Sequence, residues 1–202
     1  VKYMGGKKQF DKEIVKDKAM KLYWTKGVEA TSLTDLEEAT GLKRGSIYNS
    51  FGDKEGLFLE ALDQYAKNII APMAESLQSP DIREAMSGVL DALLSRFKNN
   101  DLPSGCLFTG TCMEYKTQSD TVKRKVSDQA FGLENALYRA FTNAQKSGQL
   151  SDEHDPRAIA RYIMAILLGM AVIDNAMADS TATQDVADIT KKSLECFLQP
   201  QE

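Results

Sequence analysis

Residues 31–58 read TSLTDLEEATGLKRGSIYNSFGDKEGLF, and the order of hydroxyl, apolar and glycine positions in this stretch decides the fold. Thr31 and Ser32 suit a helix N-cap, and Leu33, Leu36 and Ala39 follow at helical spacing, so a short helix starts there. Gly41 turns the chain. A second short helix over about Arg44–Ser50 points Ile47 and Phe51 inward and leaves Lys43, Arg44, Ser46, Tyr48 and Asn49 on a basic, polar outer side. Two short amphipathic helices across a glycine turn form a helix-turn-helix unit. A helix so divided suits the major groove of DNA, and Gly45, lacking a side chain, lets its N-terminus approach closely. The competing reading is that any two short helices around a glycine share this pattern.

The flanks favour nucleic acid. Before the motif, Gly27 stops a helix over about Asp11–Lys26 whose inner side carries Ile14, Val15, Ala19, Leu22 and Tyr23. Eight lysines against three acids give residues 1–28 a net +5, which leaves −9 for the rest of a chain whose total is −4. A basic head on an acidic body is thus hidden in the average. After the motif, a fourth helix opens near Asp53 and runs to about Ile70. Further helices are expected at about 81–97, from near Gly105, and at about 121–146, 155–178 and 183–197, with prolines between them. No alternating run suggests a strand. The fold class expected is all-α, with a helix-turn-helix head at residues 1–54 and a helical body at 55–202 for effector binding and dimerisation.

Enzymatic readings find no support. His154, the one histidine, sits in the polar loop SDEHDP, which suits a solvated residue better than a catalytic base, and no nucleotide-loop, zinc-protease or hydrolase motif is present. Neither a metal nor a cofactor is expected. Cys106, Cys112 and Cys196 show no paired spacing, which fits a reducing cytoplasm. No secretory signal pattern is seen near the N-terminus. The longest apolar run, residues 162–173, falls short of the roughly 20 residues a bilayer needs, so it reads as a buried helix and no membrane partner is expected.

GLKRGSIYNSFGDKEGLF preceded by ATSLTDLEEAT resembles the DNA-binding domain of the TetR/AcrR family of bacterial transcriptional regulators, over about Phe10–Leu62. In the body the stretch PSGCLFTGTCMEY resembles a pocket-region motif of one branch. The resemblance implies a homodimeric, ligand-responsive repressor of double-stranded operator DNA. Thr31 and Ser32 match phosphate contacts at the start of the second helix. Lys43, Arg44, Gly45 and Ser46 match the start of the recognition helix, Tyr48 an aromatic touching the DNA backbone, Asn49 a variable position, and Lys54 a phosphate anchor. Two positions depart from the pattern. Glu37 stands where a small or apolar residue is usual, and its carboxylate is expected in water, loosening the motif. The arm Gly5-Gly6-Lys7-Lys8-Gln9 replaces an Arg-Pro pair.

Two jobs compete in the body. Ile163, Ile166, Met170 and Ile173, with Ile189 and Phe197, lie on helices apolar over more than one face. They are candidates for a dimer interface, against a plain monomer core. In relatives the corresponding helices form a four-helix bundle with the partner's. Phe97, Cys106, Phe108, Met113, Tyr115, Phe131, Tyr138 and Met164 are candidates to line the pocket of a small-molecule inducer, against ordinary core packing. Cys106 follows Pro103-Ser104-Gly105 at an expected helix start, which suits a redox- or electrophile-responsive thiol as well as a small core residue. The rival to all of this is a helical interaction protein that binds no DNA.

Overall fold

Helix caps set the register of the N-terminal half. The computed structural model describes residues 10–177 and 180–200, so the arm at residues 5–9 lies outside the described residues. Helix α1 (Lys12–Lys26) begins at Asp11, whose carboxylate accepts from Glu13 N–H, and ends at Gly27. Helix α2 (Leu33–Thr40) opens with a capping box: Ser32 Oγ accepts from Asp35 N–H, and Asp35 accepts from Ser32 N–H. It closes on Gly41 in the left-handed region at φ 75°, a conformation that costs glycine nothing and so permits the sharp turn. Helix α3 (Arg44–Phe51) follows, and α4 (Lys54–Tyr65) starts at Asp53, which caps Gly56 N–H. Val15, Ala19, Met20, Tyr23, Leu36, Ile47, Phe58 and Leu62 form the core of this head.

The fourth helix does not run unbroken to Ile70. Its α-geometry ends at Tyr65 and continues as a π-turn over Ala66–Ile70, then α5 (Ala71–Glu75) and a 3-10 turn at Ser76–Gln78. Pro72 supplies the reason, since it has no N–H for the carbonyl one turn back, and a wider turn relieves the misfit. None of the residues from Ala66 to Gln78 is fully buried. Ile14 also departs from expectation: it is 56% exposed, because Val15, Ala19, Met20, Tyr23 and Trp24 claim the opposite side of α1.

Helices α6 (Ile82–Phe97), α7 (Leu107–Met113), α8 (Asp120–Lys146), α9 (Pro156–Ala176) and α10 (Ser180–Leu194) make the body. Among the described residues there is no strand, only an isolated antiparallel bridge between Leu150 and Leu198. The body core gathers Met86, Leu90, Leu137, Phe141, Ile163, Met170, Ala187 and Leu194. Helix α9 has 21 residues, and an 18-residue stretch of it has a mean hydropathy of 1.6, so it is long and apolar enough to cross a membrane, unlike the shorter run read from the sequence. Its Ile159, Ile163, Leu167 and Met170 are buried in the body core, as in the core helix of a folded domain. The head core extends into the body through Leu107 and Phe108 of α7 and Val122 and Val126 of α8. Two cores therefore meet along a seam.

Candidate nucleic-acid interface and seam cavity

Helix α3 shows one face to its own core and the other to solvent. Ile47 is wholly buried and Phe51 half-buried, whereas Lys43, Arg44, Gly45, Tyr48 and Asn49 are exposed and Ser46 is half-exposed. The Arg44 guanidinium lies 5.7 Å from the Tyr48 ring centroid, a cation–π contact that limits the freedom of both side chains. A β-carbon at Gly45 would meet nothing within 4 Å, so the helix start is open to a large partner.

Glu37 corrects the sequence reading. Its carboxylate does not sit free in water: Oε1 accepts from Arg44 N–H at 2.8 Å. Lys43, the N-cap of α3, has no side-chain cap of its own, so a residue of α2 satisfies the first turn of α3. Glu37 thus ties the two helices together.

The other candidates at this surface divide. Ser32 is exposed, and its hydroxyl is shared with Asp35. Thr31 is buried and donates to Gly27 O at 2.5 Å, so its hydroxyl is already engaged. Asp35 also pairs with Lys26 at 2.6 Å. The Lys26 and Ser32 hydrogen bonds hold its carboxyl well below the usual range. Lys54 is half-buried at the start of α4, where its carbonyl accepts from Tyr23 Oη at 2.9 Å.

A cavity of about 60 Å³ lies at the seam. Its walls are apolar (Ile70, Met73, Leu77, Val89, Leu93, Leu133, Leu137, Leu167 and Leu168 among them) except for one corner made by Tyr65, Arg96, Cys106 and Thr109. Tyr65 Oη donates to Cys106 Sγ at 3.0 Å, and Thr109 N–H reaches the same sulfur at 3.5 Å. Burial pushes the Tyr65 phenol well above its ordinary value, so it remains a donor at neutral pH. Burial likewise raises the Cys112 thiol. Arg96 packs on Phe97 at 4.1 Å and on Trp24 at 5.4 Å from the ring centroids. Sequence reasoning missed Arg96, although the register Met86, Val89, Leu93 continues to it. A charge on a buried stripe was the available signal.

Of the pocket candidates, Cys106 and Phe108 are on the cavity wall. Phe97, Tyr138 and Met164 pack half-buried against the body core. Met113 is 81% exposed and borders an outer recess of about 250 Å³ that Cys106 and Thr109 also line. Tyr115 and Phe131 are at the surface. Of the interface candidates, Ile163 and Met170 are wholly enclosed by their own chain, Ile166, Ile173 and Phe197 are half-exposed, and Ile189 is 63% exposed.

Helix α7 joins cavity to head. Cys106 is its N-cap. Just beyond its other end, Glu114 Oε2 accepts from Val28 N–H at 3.0 Å and Glu29 N–H at 3.2 Å, in the turn between α1 and α2. This carboxylate, too, was missed, since its partners are 85 and 86 residues away.

The first three helices share a core with α4, so the head reaches past the expected boundary at residue 54. Such a head, with a basic, solvent-facing third helix and continuous with a helical body that helps line a cavity, defines a class of one-component transcriptional regulators. The sequence pattern of bacterial regulatory proteins of the tetR family matches residues 16–61, and that of the tetracyclin repressor-like C-terminal domain matches residues 84–190. The chain belongs to the TetR family of DNA-binding transcriptional regulators, and is not an enzyme. It is 32% identical over 173 residues to the HTH-type transcriptional repressor ComR of Escherichia coli (strain K12), spanning 85% of this chain and 82% of that one. A cysteine mutant of the TetR family regulator CifR, complexed with 26 bp double-strand operator DNA, superposes with a TM-score of 0.85 at 25% identity, over 93% of this chain and 98% of that chain. The reduced form of E. coli NemR shares the fold, with a TM-score of 0.80 at 19% identity, over 94% and 97% of the two chains.

Proposed function

We propose that the protein is a repressor that binds a partly palindromic operator as a homodimer in the cytoplasm and is released by a small molecule taken into the seam cavity. The observation that carries this reading is α7, which borders the cavity at Cys106 and, through Glu114, holds the turn that leads into the helix-turn-helix. A ligand that shifts α7 moves a hydrogen-bonded part of the head. To release DNA, it must bind the arrangement incompetent for DNA more tightly than the competent one. Lys43, Arg44, Ser46, Tyr48 and Asn49 contact DNA, with Ser32 and Lys54 on phosphates. The half-exposed and exposed apolar residues Tyr162, Ile166 and Ile173 of α9 and Ile189 of α10 meet their copies in the partner. Binding selection from a random double-stranded DNA pool, followed by sedimentation of the complex, tests this. A palindromic site bound by two chains is expected, and a pool that never converges refutes the reading.

A second reading is favoured by the Tyr65 hydrogen bond to Cys106. A thiol placed between the cavity and the outer recess, with two donors on its sulfur, responds to electrophiles or oxidants. Brief iodoacetamide labelling should then modify Cys106 before the half-buried Cys112, with exposed Cys196 reporting access alone. Slower labelling of Cys106 returns it to a packing role.

A further inference from the structure

Arg96 is a charged residue buried in the body. It is 8% exposed, and none of its three guanidinium nitrogens has a hydrogen-bond partner among the described residues. Asp174 Oδ2 stands 3.6 Å from one terminal nitrogen, but it already accepts from Gly105 N–H at 2.7 Å. Phe97 and Trp24 offset part of the charge, yet neither can accept in the plane where the N–H groups point. A guanidinium stays protonated at any physiological pH, so burial cannot be relieved by losing the charge. Thr109 Oγ1, in the same corner, is also buried without a partner. Both residues line the same chamber, whose remaining walls are mostly apolar.

We propose that the seam cavity binds a compact organic carboxylate, its two oxygens taken by the Arg96 fork and its apolar body by Ile70, Met73, Leu133 and Leu167. This names the ligand class for the inducer site and so rests on the proposed function. A carboxylate matches the planar guanidinium with two parallel hydrogen bonds, which the Asp174 ion pair at 3.6 Å does not supply. The Thr109 hydroxyl supplies a further donor. A water needs about 10–15 Å³, so the cavity of about 60 Å³ holds the polar head of such a molecule with little to spare. The apolar recess of about 220 Å³ that shares Ile70, Ala74, Phe108 and Leu133 takes the body as α5 yields. That wall is suited to yielding, since it contains no fully buried residue.

Calorimetric titration of the full chain with benzoate, benzamide and acetate separates the terms. Benzoate is expected to bind about tenfold or more tighter than benzamide, which has the same shape without the charge, and than acetate, which has the charge without the body. Arg96→Met should bring benzoate and benzamide to the same affinity. Equal affinities in the wild type, no benzoate binding at millimolar concentration, or a preference that survives in Arg96→Met overturns the proposal. The wild-type ranking decides even if the variant does not fold. Operator release, read in parallel by fluorescence anisotropy, separates this inference from the reading beneath it. Benzoate binding through Arg96 without release upholds the anion site and removes the inducer role. Benzamide binding and releasing as well as benzoate does the reverse.

Discussion

The head and the seam both hold polar side chains, but these are satisfied to different degrees. In the head, Asp11, Ser32, Asp35, Glu37 and Asp53 each cap a helix start, and the turns rest on short hydrogen bonds. At the seam, Arg96 and Thr109 leave buried donors unmet, and Trp24 Nε1, where α1 of the head reaches the seam, is in the same condition. A fully satisfied region has one low-energy arrangement, whereas unmet buried groups stabilise whatever occupant or rearrangement meets them. On the proposed function, the difference teaches that reading DNA and sensing a ligand would ask for opposite things: a fixed presentation of α3 and a site waiting to be completed.

The largest effect is expected on the reading face. Lys43→Ala with Arg44→Ala should weaken operator binding about 100-fold, with a melting temperature close to wild type because both side chains are exposed. Unchanged affinity in anisotropy would remove α3 from the interface. Ile189→Glu comes next. At an exposed position it should leave the monomer folded, abolish the dimer in sedimentation and lower operator affinity about tenfold, because two linked heads outbind one.

Glu114→Ala sharpens the comparison itself, because it severs head from seam. Each lost backbone hydrogen bond to this carboxylate is worth about 1.5–3 kcal/mol. Hydrogen exchange at Val28 and Glu29 should accelerate while body amides keep their protection. Uniform loosening would instead mean that head and body unfold as one unit. Glu37→Ala should cost about 1 kcal/mol of stability as α3 loses its cap, with operator affinity reduced about threefold.

The smallest effect is a pH dependence. The Asp35 carboxyl is depressed by Lys26 and Ser32, so its contribution is complete above the ordinary carboxylate range and fades as pH falls through its folded value. Melting of Asp35→Asn should be flatter with pH below that range than wild type.

Much of this was legible in the sequence, because caps and turns are local. Ser32, Gly41, Gly27 and Asp53 marked the head helices to within a residue or two, and the TetR resemblance followed from the same stretch. The rest depends on groups distant along the chain. Glu37 looked like a flaw because its partner, Arg44 N–H, is a backbone group seven residues on. Arg96, Tyr65 and Cys106 come from three separate helical segments, and no spacing relates them. The π-turn after Tyr65 was hidden because an apolar pattern carries through it unchanged.

Gly27 has a bearing on how such proteins can be recombined. Any β-carbon there would run into the Glu114 carboxylate, and the backbone already sits at φ 86°. The residue that ends the first helix of the head is therefore keyed to one that follows α7 in the body. A chimaera that grafts a different head onto this body keeps the joint as it stands here when it carries a glycine at that position, and a different body keeps it when it brings an acceptor for the Val28 and Glu29 N–H groups. The boundary between head and body is a joint with parts on both sides, and cutting the chain in two leaves each half holding a piece of it.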